Sequence, residues 1–125
     1  MHALFRLLRR LALLALMLAP TPVLAVDPPY QAEMERLAEV MGSLYFLDPL
    51  CQAQSTDWRA QAESLINADQ PDDDRRQRLA GAFNKGYTAF SRLYRSCTAS
   101  AHEALVRLLT EAGTTAGDIH SRYAE

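Results

Sequence analysis

Histidine is scarce in this chain of 125 residues: there are three, and only His102 and His120 lie beyond the first 25 positions. Neither stands at a ligand spacing, such as two histidines four apart on one helix, so no metal is assigned. Asp72-Asp73-Asp74 lacks the alternating ligands, the glycine and the distant glutamate of a calcium loop. It reads as the acidic first turn of a helix, where it complements the dipole. A hydrolase would need a carboxylate pair, and Glu63 with Asp69 or Asp48 with Asp57 are the candidates. Nothing in the sequence fixes their separation or raises a pKa, so no catalytic residue and no cofactor are assigned. Strand alternation, internal repeats and low-complexity segments are lacking as well.

Long apolar runs are also missing. Leu11 to Ala19 is unbroken but short of the roughly 20 residues that cross a bilayer as a helix. Arg6, Arg9 and Arg10 precede it, Pro20 and Pro22 follow it, and Val23-Leu24-Ala25 puts small or apolar residues at the −3 and −1 positions. This is the pattern of a signal peptide over residues 1–25, cleaved between Ala25 and Val26, on the general secretory route. No cysteine follows the cleavage site to take a lipid, so no stable membrane anchor is expected after cleavage. The leader carries three of the 13 basic residues and none of the 15 acidic ones, which leaves residues 26–125 with ten against fifteen, a net charge of −5. An acidic domain is a poor match for nucleic acid or an anionic membrane surface. The expected location is the periplasm.

Two cysteines are present, Cys51 and Cys97, both beyond the leader. An even count in an exported chain reads as a disulfide. Closing that loop is worth about 4 kcal/mol in the chain-entropy model, against about 5–15 kcal/mol for a whole domain.

The remaining residues are patterned for helices. Pro28 and Pro29 lead into a first helix over about Tyr30–Leu47, with Tyr30, Met34, Leu37, Met41, Leu44 and Tyr45 on one apolar face and Pro49 as its stop. Ser55 and Thr56 suit a helix start, and Asp57 suits the first turn. A short second helix over about 57–68 follows, with Trp58, Ala62, Leu65 and Ile66 inward. Pro71 fits the first turn of a third helix. There Leu79, Phe83, Tyr87, Phe90, Tyr94 and Cys97 recur at the 3.6-residue period. Gly86 sits beside that stripe and marks a close helix crossing. Ser100 and Glu103 have capping-box spacing for a fourth helix from about Ala101, with Gly113 as its stop and a last short turn through Ile119 and Tyr123. No glycine or proline separates Gly86 from Gly113, so one long helix in place of the third and fourth stays open. The fold expected is all-α: a small up-down bundle of three to four helices stapled by Cys51–Cys97. The first and third helices run parallel and the second returns between them.

Several blocks look familiar together: Gly42 to Cys51, Trp58, Phe83 to Tyr87, Tyr94 with Cys97-Thr98, and Asp118-Ile119 with Arg122-Tyr123. On these the chain resembles a family of small exported alphaproteobacterial proteins of unknown function, marked by two well-separated cysteines. The resemblance covers nearly all of residues 26–125. It implies a periplasmic home and the Cys51–Cys97 pair, and it implies no activity.

Phe83, Tyr87, Phe90 and Tyr94, with Trp58 and Tyr45, form a core or line a groove for a ligand or partner helix. The functional expectation is a non-enzymatic periplasmic module binding a protein or envelope component. The alternatives are a small helical hydrolase or metal-dependent enzyme, and a carrier of a small apolar ligand.

Overall fold

The computed structural model describes residues 1–6, 26–53 and 56–124. The leader's apolar run, Ala25 of the cleavage site and Ser55 lie outside them. Among the described residues there is no strand, residues 2–6 are helical, and four longer helices follow: α1 (Gln31–Cys51), α2 (Trp58–Asp69), α3 (Asp73–Leu93) and α4 (Ala99–Tyr123). The all-α class and the disulfide are as expected. With the short stretch at 2–6, the helix count exceeds the expected three to four.

Three helix starts carry short polar caps. Asp57 accepts from the Ala60 N–H at 3.0 Å, Asp72 from the Arg75 N–H at 2.8 Å, and Thr98 from the Ala101 N–H at 3.1 Å. Each oxygen satisfies one of the N–H groups that a first turn leaves unpaired. Asp57 therefore caps α2 and does not belong to its first turn. Thr98 starts α4, not a capping box between Ser100 and Glu103.

Helix ends differ more from expectation. α1 passes through Pro49 to Cys51. A proline there loses one bond, to the carbonyl of the half-exposed Tyr45, while the added turn carries Cys51 to its partner. α3 stops at Leu93 because Tyr94 turns extended. Tyr94 and Cys97 are thus outside the helix, and Cys97 is exposed rather than on a buried stripe. The break at 94–98 excludes one long helix. α4 runs on through Gly113 and Gly117 to Tyr123, and no glycine takes a positive φ. Each glycine costs about 1 kcal/mol in helix propensity; burial of Ala112 and the packing of Ile119 onto the core offset it.

α1 is the centre of the molecule. Val40 through Leu44 are all buried, which a helix covered on one side alone cannot achieve. α3 and α4 both pack on α1. α2 packs on α1 and touches α3. No Cα of α4 comes within 8 Å of α2 or α3. The chain still goes up, down, up, down, but α2 does not run between α1 and α3, which meet directly.

Their register shows that α1 and α3 are parallel. Arg75 bonds Gln31, Arg78 bonds Glu35, Gly86 faces Glu39 and Ser43, and Cys97 reaches Cys51. At the crossing, a Cβ on Gly86 would lie 1.9 Å from the Glu39 carbonyl oxygen, and one on Gly42 would lie 1.9 Å from that of Phe83. The crossing expected at Gly86 is therefore a reciprocal pair, with Gly42 as its second half. Beyond it, the Cys51 and Cys97 α-carbons are 5.0 Å apart, within the range a disulfide needs.

Candidate functional site

α2 and α4 both run antiparallel to α1, with no α-carbons within 8 Å of each other, and a trough lies between them. Its floor is the α1 face bearing Met34, Leu37 and Met41. Two hollows of about 600 and 480 Å³ share Leu37, Leu65, Ala68 and Ala116, and so form one groove. The α4 wall is low because Ala112, Gly113 and Ala116 carry little or no side chain. One end is marked by Trp58, whose indole N–H donates to the buried Asp48 carboxylate at 2.7 Å.

The other end is polar. The Tyr30 hydroxyl donates to Asp69 Oδ1 at 2.5 Å, and Arg75 Nη2 donates to Asp69 Oδ2. Arg75 Nε donates to Gln31 Oε1 at 2.7 Å. Arg75 is 8% exposed and Gln31 5%, so this buried guanidinium is paired and hydrogen-bonded, as burial requires. The Asp69 bond pushes the Tyr30 hydroxyl's pKa up, and partial burial adds to it. Tyr123 and His120 from α4 face this end, the Tyr123 ring 5.5 Å from that of Tyr30.

The six aromatics singled out by the sequence do not form one surface. Tyr45, Phe83 and Tyr87 cluster where α1 meets α3, with ring centroids 5.6–5.7 Å apart. The Arg59 guanidinium lies 5.5 Å from the Tyr45 centroid. Phe83 is buried, whereas Tyr45 and Tyr87 are partly open. Phe90 and Tyr94 pair with each other nearer the disulfide, at 6.4 Å. Only Trp58 lines the groove. The sequence does not single out its α4 wall, because the residues there are small and a stop expected at Gly113 separates Ala112 from Ala116. The recurrence of Leu105, Leu108, Ala112, Ala116, Ile119 and Tyr123 carried the signal.

The carboxylates considered as hydrolytic pairs are committed elsewhere. Asp48 holds Trp58, Asp57 caps α2, and Asp69 holds Tyr30 and Arg75; Glu63 is exposed. Asp72 caps α3, and Asp74 accepts from Arg78 at 3.0 Å. His102 is exposed on α4. Among the described residues no three His, Cys, Asp or Glu side chains converge as metal ligands, and no helix is long and apolar enough to cross a membrane.

These features define a small all-α domain, stapled by one disulfide, with an apolar groove along its central helix. The chain belongs to the family described as "Protein of unknown function (DUF2385)", whose model matches residues 29–123. No curated protein and no solved structure matches it.

Proposed function

We propose that the protein is exported to the periplasm and works there as a non-enzymatic binding module, holding an apolar segment of an envelope component between α2 and α4. The observation that carries this reading is the apolar groove between α2 and α4, lined by Leu37, Met41, Trp58 and Leu65 and walled on α4 by Ala112, Gly113 and Ala116. Grooves of several hundred Å³ with a few placed polar groups are where ligands bind. The leader pattern, the net acidity of residues 26–125 and a disulfide suited to an oxidising compartment support the location.

A photo-crosslinking side chain at the exposed groove position Ala116, compared with one at the exposed α3 position Gln77, tests the binding site in cells. Adducts from Ala116 and none from Gln77 are expected; the reverse would move the site to α3. Mass spectrometry of the exported protein should place its N-terminus at Val26. Intact residues 1–25 in a membrane fraction would contradict the export reading.

A further inference from the structure

We infer that the groove takes a single-chain amphiphile with an ammonium head, its tail lying over Leu37 and Met41 toward Trp58 and its head against Tyr30 and Asp69. The inference rests on the groove reading above and adds the ligand's chemistry.

The tail follows from the lining. Between Trp58 and Asp69 the floor and walls are aliphatic or small, with Gln61 and Ser64 at one rim. α2 covers about 16 Å over this stretch at 1.5 Å per residue, comparable to an extended dodecyl chain.

The head follows from the hydrogen-bond accounting at the polar end. Tyr30 spends its hydroxyl hydrogen in the bond to Asp69, which leaves its oxygen as an acceptor. Each Asp69 oxygen accepts one of these bonds and retains a lone pair. The raised Tyr30 pKa keeps that proton in place through the neutral range. Arg75, the cation behind them, is buried and turned to Gln31 and Asp69. The C-terminal ends of α2 and α4 both border this end of the groove, and helix C-termini favour cations; the last turn of α2 carries none of its own, and that of α4 carries His120 and Arg122. The Tyr123 ring offers a π face to the same charge, while the Tyr30 ring has the Arg75 guanidinium 6.0 Å from its centroid. At the Tyr30–Asp69 face a carboxylate would meet acceptors, a hydroxyl would supply a single donor, and an ammonium supplies three with a positive charge; the His120 N–H is the donor that this end offers an anion.

Trp58 is the chain's single tryptophan and stands at the tail end, so its fluorescence reads occupancy. The protein, purified in the form the cell accumulates, is titrated with dodecylamine, dodecanol and dodecanoate below their micellar concentrations. Dodecylamine is expected to bind at least tenfold more tightly than dodecanoate and at least threefold more tightly than dodecanol. A dodecylamine brominated at its tail end should quench Trp58. Asp69→Asn should cut the amine preference over dodecanol to about twofold or less. If that variant lacks a cooperative melt, Tyr123→Leu should lower the preference at least threefold. Ala116→Trp, at an exposed position, should abolish binding of all three. A lysophosphatidylethanolamine arm tells a lipid headgroup from a free amine, the tighter binder naming the source.

Equal binding of dodecylamine and dodecanol, both lost in Ala116→Trp, would overturn the head assignment and leave the groove reading standing. Dodecylamine binding that survives Ala116→Trp would overturn both. No Trp58 response to any probe would overturn the amphiphile and leave the crosslinking test to decide the groove.

Discussion

Three helix glycines fall into two roles. Gly86 and Gly42 have no room for a side chain, since a Cβ on either would meet a backbone carbonyl of the facing helix. Gly81 is on an exposed turn of α3 with nothing within 4 Å. Gly86→Leu should therefore cost about 1–3 kcal/mol or more by overpacking, despite leucine's better helix propensity. Gly81→Ala should gain about 0.4–1 kcal/mol by restricting the unfolded chain. Chemical denaturation of both variants checks the pair, and a stabilising Gly86→Leu would contradict the α1–α3 crossing. Gly86 was legible in the sequence because it sits beside a regular aromatic stripe. Gly42 was not, because it sits in a stretch apolar on all sides and breaks no visible pattern.

Ion pairs at the surface set a pH dependence at the same scale. The Arg36 guanidinium donates to Glu111 Oε1 at 2.6 Å and Oε2 at 2.9 Å, which holds the Glu111 carboxyl below its ordinary value. Arg78 does the same to Asp27, through bonds of 2.5 and 2.9 Å. A carboxyl whose pKa is lower in the folded than in the unfolded chain binds fewer protons when folded. Its stabilisation is present above the unfolded value of about 4 and is lost as pH falls through the folded value. The melting temperature should decline as pH drops below about 4. In Glu111→Gln that acid-side decline should be shallower at low ionic strength, the difference shrinking with added salt. An unchanged slope would mean that the Arg36–Glu111 pair does not form in solution.

At the scale of elements, the sequence predicts where helices lie better than where they end. Periodicity places all four, because an amphipathic face is a property of consecutive residues. Pro49, Gly113 and the Leu79–Cys97 stripe mislead at the ends, because a helix end is decided by what packs beside it. α4 absorbs two glycines since α1 lies under most of its length, and α3 stops before Cys97 since Cys51 holds that residue in the linker. This linker carries the disulfide's work: one bond fixes the end of α1 and the turn between α3 and α4. Reduction, or a Cys51→Ser, Cys97→Ser double variant, should lower the melting temperature by at least about 10 °C. Far-UV circular dichroism at low temperature should remain helical. A shift of only a degree or two would show that packing alone holds the linker.

For the whole molecule, the groove exists because α2 and α4 both lean on the central α1 while no α-carbon of one comes within 8 Å of the other. That arrangement was out of reach of the sequence, which reports which residues are apolar but not which helices fail to meet. An aromatic groove, the alternative to a core for the largest side chains, does not form, since most of them sit where α1 joins α3 or near the disulfide. The open surface is built from small residues on α4, whose low profile is the reason that it is open. The gap between α2 and α4 is tested most directly by cysteines introduced together at Ser64 and Gly113, which face each other across it. With no α2–α4 α-carbons within 8 Å, the new thiols are too far apart to bridge without backbone movement. Thiol titration of the unreduced, denatured double variant should find two thiols per chain, against essentially none in the parent. No titratable thiols, with a peptide map showing the two introduced cysteines joined to each other, would mean that the helices meet and that the groove is closed.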